Sequence, residues 1–97
     1  MRQNQISSHF IQDIFEMTTC YCYILECADG SYYTGWTTNP DRRVNQHNAG
    51  RGSRYTRSRL PVILVYLEPQ SDRGGAMKRE RAIKMMARDR KQRLFEK

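Results

Sequence analysis

The run from Tyr21 to Thr37 sets two β-forming stretches on either side of Asp29-Gly30. That pattern is a strong short-range signal for a β-hairpin. A hairpin decides which side chains meet, because faces alternate along each strand and a one-residue slip in register inverts them. A two-residue Asp29-Gly30 loop would set Tyr23 opposite Trp36 and send Tyr33 to the other face. A three-residue Ala28-Asp29-Gly30 loop, with Gly30 left-handed, sets Tyr23 opposite Gly35 and Tyr33 opposite Leu25. Both tyrosines then share one face, and Gly35 leaves room over the ring of Tyr23. A type I turn followed by glycine suits Ala-Asp-Gly, so the second register is expected.

The rest of the chain reads as one small α+β domain. Strands are expected over about residues 20–27 and 31–37. Asn39-Pro40-Asp41 is a helix start, with Asn as N-cap and Pro in the first turn. That helix should end near Asn48, before Ala49-Gly50. A basic loop, 51–59, leads to the most apolar run, Pro61 to Glu68. Its β-branching and length predict a buried strand ended by Pro69. Asp72 caps a long basic helix that breaks near Ala87–Asp89, with a last helix to about Phe95. The expected architecture is a small three-stranded antiparallel sheet flanked by helices, in the order β-β-α-β-α-α. Residues 20–97 form this domain. Residues 1–19, with Ile6, Phe10, Ile11, Ile14 and Phe15 at loosely helical spacing, read as a flexible N-terminal extension.

Charge narrows the partner. The chain carries a net charge of +7 over 97 residues. Residues 73–97 hold ten Lys/Arg against three Asp/Glu, and residues 42–59 hold six arginines and no acid. Such a field attracts a polyanion, and nucleic acid is the first candidate, DNA ahead of RNA. No apolar run approaches membrane-spanning length, and the N-terminus leads into no signal-peptide core. Cys20, Cys22 and Cys27 crowd one arm of the hairpin, an arrangement unsuited to a disulfide framework or a zinc site. They read as packing thiols of a cytoplasmic protein, taken as a monomer.

Three features could carry chemistry. Tyr23 and Tyr33 share a face in the expected register. Arg43 and His47 lie four residues apart on the next helix, and a guanidinium fork suits two phosphate oxygens. His47 is either a surface residue beside the helix end or an acid, base or hydrogen-bond partner. Glu80 falls in an inward stripe with Ala76, Ile83 and Ala87, near Met77. A carboxylate there is either paired with an arginine or a ligand for Mg²⁺.

Together these residues resemble the GIY-YIG nuclease domain over about residues 20–95. Tyr21-Cys22-Tyr23 stands for the first motif, where only the final tyrosine matches, and Tyr33-Thr34-Gly35 stands for the second. Arg43, His47 and Glu80 match the expected later positions. The runs 23–35, 42–50, Tyr55-Thr56 and 61–66 are similar to the small stand-alone bacterial members. A further asparagine that several members carry after the glutamate has no counterpart in 81–97. The resemblance implies metal-dependent endonuclease-type hydrolysis of nucleic acid with low sequence specificity, as in DNA-repair relatives. It assigns Tyr23 to the attacking water, Tyr33 to the water or phosphate, and Arg43 to the phosphate charge. His47 would orient a tyrosine or assist proton transfer, and Glu80 would hold Mg²⁺ or Mn²⁺. Arg51, Arg54, Arg57, Arg59 and Lys84 would hold the nucleic-acid backbone, and Tyr55 could stack on a base. The alternative is a non-catalytic nucleic-acid-binding module on the same scaffold.

Overall fold

The computed structural model describes residues 19–96. The expected extension, apart from Thr19, lies outside the described residues. The elements run β1 (Cys20–Glu26), β2 (Tyr32–Thr37), α1 (Pro40–Asn48), α2 (Arg54–Arg57), β3 (Ile63–Gln70), α3 (Arg73–Lys84) and α4 (Arg88–Phe95). They build the three-stranded antiparallel sheet that the sequence predicts, and its strand order is β2-β1-β3.

The hairpin takes the three-residue loop. Tyr23 pairs with Gly35 and Leu25 with Tyr33, and Gly30 has φ +86°. The Gly30 N–H donates to Cys27 O, and the Cys27 N–H donates to Ser31 O. Asp29 accepts from both the backbone and the hydroxyl of Ser31, a local closure that aspartate favours in turns.

The two sheet faces have different covers. Cys20, Cys22 and Ile24 face α3, where Ala76 and Ile83 are buried, and Trp36, Val65, Tyr66, Leu94 and Phe95 pack around them. Tyr23, Leu25 and Cys27 face the other way, packed with Val62, Tyr33, Val44 and Leu60. The three cysteines are therefore packing groups in two cores. The first three helix starts carry side-chain caps: Asn39 accepts from Arg42 N–H, Ser53 from Thr56 N–H and Asp72 from Gly75 N–H.

Two expectations need correction. The apolar run is a strand, but it is not buried and Pro69 does not end it. β1 takes the central place, so β3 is an edge, and Ile63, Leu64 and Leu67 are 60%, 38% and 41% exposed. Pro69 sits within β3 opposite Tyr21; an edge strand tolerates a residue that lacks an N–H. The inward stripe of the basic helix is also shorter than expected. α3 stops at Lys84, Ala87 caps α4, and Met77 is exposed, which leaves Ala76, Glu80 and Ile83 on the shared face. Among the described residues no helix is long and apolar enough to cross a membrane.

Candidate active site

The face of β1 and β2 that looks toward α1 carries the site. Tyr23 is 2% exposed, and its hydroxyl lies 3.1 Å from His47 Nε2. Gly35 is what permits this. A Cβ at position 35 would fall 2.7 Å from Tyr23 Cζ, closer than real Cβ contacts come. Tyr33, two residues before Gly35 and on the same face of β2, sets its ring centroid 6.4 Å from Tyr23 and 5.2 Å from His47.

His47 lies in the last turn of α1 and is 1% exposed. It is neither a surface residue nor a simple cap. Its Nδ1 is 2.8 Å from Thr56 Oγ1 in α2. The backbone of Gly52 lies flat against the imidazole, so close that any Cβ there would collide with the ring. Burial, and then the charge of Arg43, push the His47 pKa below its ordinary value. The imidazole is therefore neutral at neutral pH.

Burial also pushes the Tyr23 phenol up to about 12, although Arg43 pulls the other way. The Glu80 charge adds to the upward push, which places that carboxylate within electrostatic reach of the tyrosine. Arg43 is half-buried, with Nε donating to Gln46 Oε1 at 3.0 Å and Nη1 to the Trp36 carbonyl at 3.4 Å. These two contacts orient the guanidinium, and it lines a polar cleft of about 190 Å³ with Thr37, Thr38, Asn39, Arg42 and Gln46.

Glu80 projects from α3, half-buried, with Lys84 Nζ at 3.3 Å one turn on. The partner is thus a lysine of its own helix, not the arginine expected for a structural pair. Among the described residues, no group of three or more His, Cys, Asp or Glu converges. A single carboxylate suits Mg²⁺ or Mn²⁺, hard cations that complete their shell with water and phosphate oxygens. The donor set therefore fits an ion bound together with a phosphate, not an all-protein cage.

The predicted backbone-binding residues divide. Arg51, Arg54 and Arg57 are exposed and line a cleft of about 180 Å³ with Gly50, Gly52 and Ser53. Arg59 is committed elsewhere: it meets Asp29 of the hairpin turn at 3.1 Å and donates to Tyr55 O. Its guanidinium covers the Tyr55 ring at 3.8 Å, and Tyr55 stacks with Tyr33 at 6.1 Å. Tyr55 is thus a wall of the site, and a stacked base would have to displace Arg59. Sequence reading gave no role to Gly52, Ser53, Thr56 or Gln46. Tyr55-Thr56 was visible as a motif, but its service to His47 is a contact nine residues away.

Comparison with known proteins agrees with this geometry. The model of the GIY-YIG catalytic domain matches residues 19–93. The chain belongs to the GIY-YIG family. This is a nuclease-like family, and its domain points to a nucleic-acid substrate. A UPF0213 protein of Haloquadratum walsbyi is 53% identical over 76 residues, covering 78% of this chain and 85% of the relative. A UPF0213 protein of Staphylococcus haemolyticus is 48% identical over 80 residues, covering 82% and 98%. Among solved structures, the solution structure of a UPF0213 protein from Bacillus halodurans aligns with TM-score 0.51 at 45% identity, covering 78% and 81%. That of a protein from E. faecalis aligns with TM-score 0.55 at 43% identity, covering 77% and 80%. These relatives are small proteins of one GIY-YIG domain, similar in extent to residues 19–96.

Proposed function

We propose that this GIY-YIG protein is a metal-dependent phosphodiesterase that cleaves nucleic acid, DNA in preference to RNA, with little sequence preference. The observation that carries the reading is the Tyr23 hydroxyl on His47 Nε2 at 3.1 Å, inside a closed polar chain beside an oriented arginine.

With a pKa pushed up to about 12, only about one Tyr23 in 10⁵ is a phenolate at neutral pH. Tyr23 therefore acts best by passing a proton on. The attacking water gives its proton to the Tyr23 oxygen while the Tyr23 proton moves to His47 Nε2. The water oxygen bonds to phosphorus, and the bond from phosphorus to the leaving oxygen breaks. Arg43 stabilises the negative charge that builds on the phosphate, held in place by Gln46 and the Trp36 carbonyl. Tyr33 closes the site next to Tyr23 and holds water or a phosphate oxygen. Glu80 would hold Mg²⁺ or Mn²⁺, which when bound neutralises charge on the phosphate and leaving oxygens. Arg51, Arg54 and Arg57 supply backbone contacts, which position a strand without reading its bases.

The direct test incubates the purified protein with DNA and RNA, with and without Mg²⁺ or Mn²⁺. Arg43→Ala and Glu80→Ala should abolish cleavage while leaving the circular dichroism spectrum unchanged. Undiminished cleavage by both variants would place the activity elsewhere. A second reading, a binding module on the same scaffold, is favoured by the Lys84 ammonium on Glu80, because the protein then fills that position with its own cation. It predicts salt-sensitive binding and no cleavage in either metal.

A further inference from the structure

We infer that Thr56 is a positioning residue that fixes the tautomer of His47, so that Nε2 is the nitrogen left free to take the Tyr23 proton. The inference rests on the phosphodiesterase reading only for its consequence in catalysis. The tautomer itself follows from hydrogen-bond accounting in the buried chain.

Thr56 is fully buried and has one hydroxyl proton to give. Its Oγ1 donates to the Ser53 carbonyl at 3.3 Å. Ser53 Oγ, 3.0 Å away, accepts the Thr56 backbone N–H and has its own hydroxyl proton available for Thr56 Oγ1. The remaining neighbour of Thr56 Oγ1 is His47 Nδ1 at 2.8 Å, and with the hydroxyl proton spent, Thr56 accepts there. Nδ1 therefore carries the imidazole proton. A neutral ring has a single N–H, so Nε2 is unprotonated and accepts from the Tyr23 O–H.

The opposite assignment fails the same accounting. If Thr56 donated to Nδ1, then Nε2–H would point at the Tyr23 oxygen. The Ser53 carbonyl would still hold the Arg57 N–H at 3.0 Å, but the Tyr23 hydroxyl proton would have to leave His47 for another acceptor in a buried site. Arg43, the other charged group at Tyr23, is a donor and cannot take it. Within the chain Ser53–Thr56–His47–Tyr23, only the first polarity gives the Tyr23 hydroxyl proton an acceptor. Gly52 complements it by letting the backbone close over the ring, which excludes water that could bridge Nδ1.

The groups facing His47 are Tyr23 of β1, Tyr33 of β2, Arg43 of its own helix and Thr56 of α2. Among them Arg43 carries a positive charge, which resists protonation of the ring.

The test reads the tautomer by nitrogen chemical shift. Two-bond proton–nitrogen correlation of the ¹⁵N-labelled protein should show His47 with a pyrrole-type Nδ1 and a pyridine-type Nε2. Thr56→Val removes the acceptor while keeping the shape, and should move His47 toward the Nε2–H form. Thr56→Ser should restore the wild-type pattern. Metal-dependent cleavage should fall by about 100-fold in Thr56→Val, the lower end of what positioned proton transfer contributes, and recover to within about threefold in Thr56→Ser. A wild-type spectrum with Nε2 protonated would overturn the inference, with no need of any variant that folds poorly. So would a Thr56→Val protein that keeps both the wild-type pattern and the wild-type rate. Absence of cleavage in the wild type, with Nδ1 protonated and the Thr56→Val shift present, would leave the Thr56 assignment standing and count against the phosphodiesterase reading alone.

Discussion

Gly52→Ala should destabilise this protein although it adds a single methyl group to an exposed loop. Gly52 does not have positive φ, so an alanine meets no backbone strain there. The difficulty is steric: the new Cβ would overlap Nδ1, Cγ and Cε1 of His47. The ring is 1% exposed and cannot retreat without leaving Tyr23 on one side or Thr56 on the other. Overpacking a tight interior costs about 1–3 kcal/mol, and a lost hydrogen bond adds about 1. Reduced freedom of the unfolded chain returns about 0.4–1. The net loss is about 1–4 kcal/mol, which for a chain of this size lowers Tm by at least about 4 °C. Gly74→Ala is the matched control. Its Cβ would meet only Asp72 Oδ1, at an ordinary 3.7 Å in the first turn of α3. It should raise stability by up to about 1 kcal/mol. Thermal and urea unfolding of both variants would decide. A Gly52→Ala protein with Tm within about 2 °C of wild type would show that the loop does not close on His47.

Two further predictions concern charge. The Glu68 carboxyl would be raised by burial, but hydrogen bonds from Arg79 and Tyr66 outweigh this and hold it below its ordinary value. Its stabilisation is in place above the unfolded carboxyl's value of 4.5 and is lost as pH falls through the lower folded one. Wild-type urea midpoints should therefore drop more steeply on acidification than those of Glu68→Gln, and parallel curves would contradict the assignment. Arg54→Ala should weaken binding to all nucleic-acid sequences alike and reduce the slope of log K against log salt by about 1 in anisotropy titrations. Arg59→Ala, whose side chain is spent on Asp29 and Tyr55, should leave that slope unchanged and lower stability instead.

What the sequence made legible was local. Ala28-Asp29-Gly30 dictates its turn, the turn dictates the register, and the register puts Tyr23 and Tyr33 on one face. The helix starts at Asn39 and Asp72 follow from side chains that cap within three residues. Less legible was whatever depends on the order of strands. The run from Ile63 to Leu67 is apolar enough for a sheet centre, yet β1 occupies that place because it pairs with both neighbours. Composition cannot report which strand gains two partners. The burial of His47 was hidden for a similar reason. Helical spacing places it beside Arg43, but its burial comes from Gly52 and Thr56, in a loop that returns over the helix end.

That return is fastened at both of its ends by side-chain bonds to main chain or turn. Asn48, next to His47, donates to Val62 O at 3.0 Å and accepts from Val62 N at 2.7 Å. Arg59 holds Asp29, and its carbonyl accepts from Ala28 N–H at 2.9 Å. The loop from 49 to 61 is thus tied to the strand entry at one end and to the hairpin turn at the other. Arg88 of α4 braces the hairpin turn itself, donating to the Gly30 carbonyl at 2.7 Å. The hairpin turn therefore has two tasks. It sets which residues face the site, and it anchors the loop that holds His47 in place. Fixing a side chain from both sides is what keeps a proton acceptor within hydrogen-bond reach of its donor, where displacements near 1 Å cost about 10²-fold in rate. In so small a domain the core alone is too thin to supply that rigidity. The turn and loop supply it through short bonds that do not depend on the size of the core.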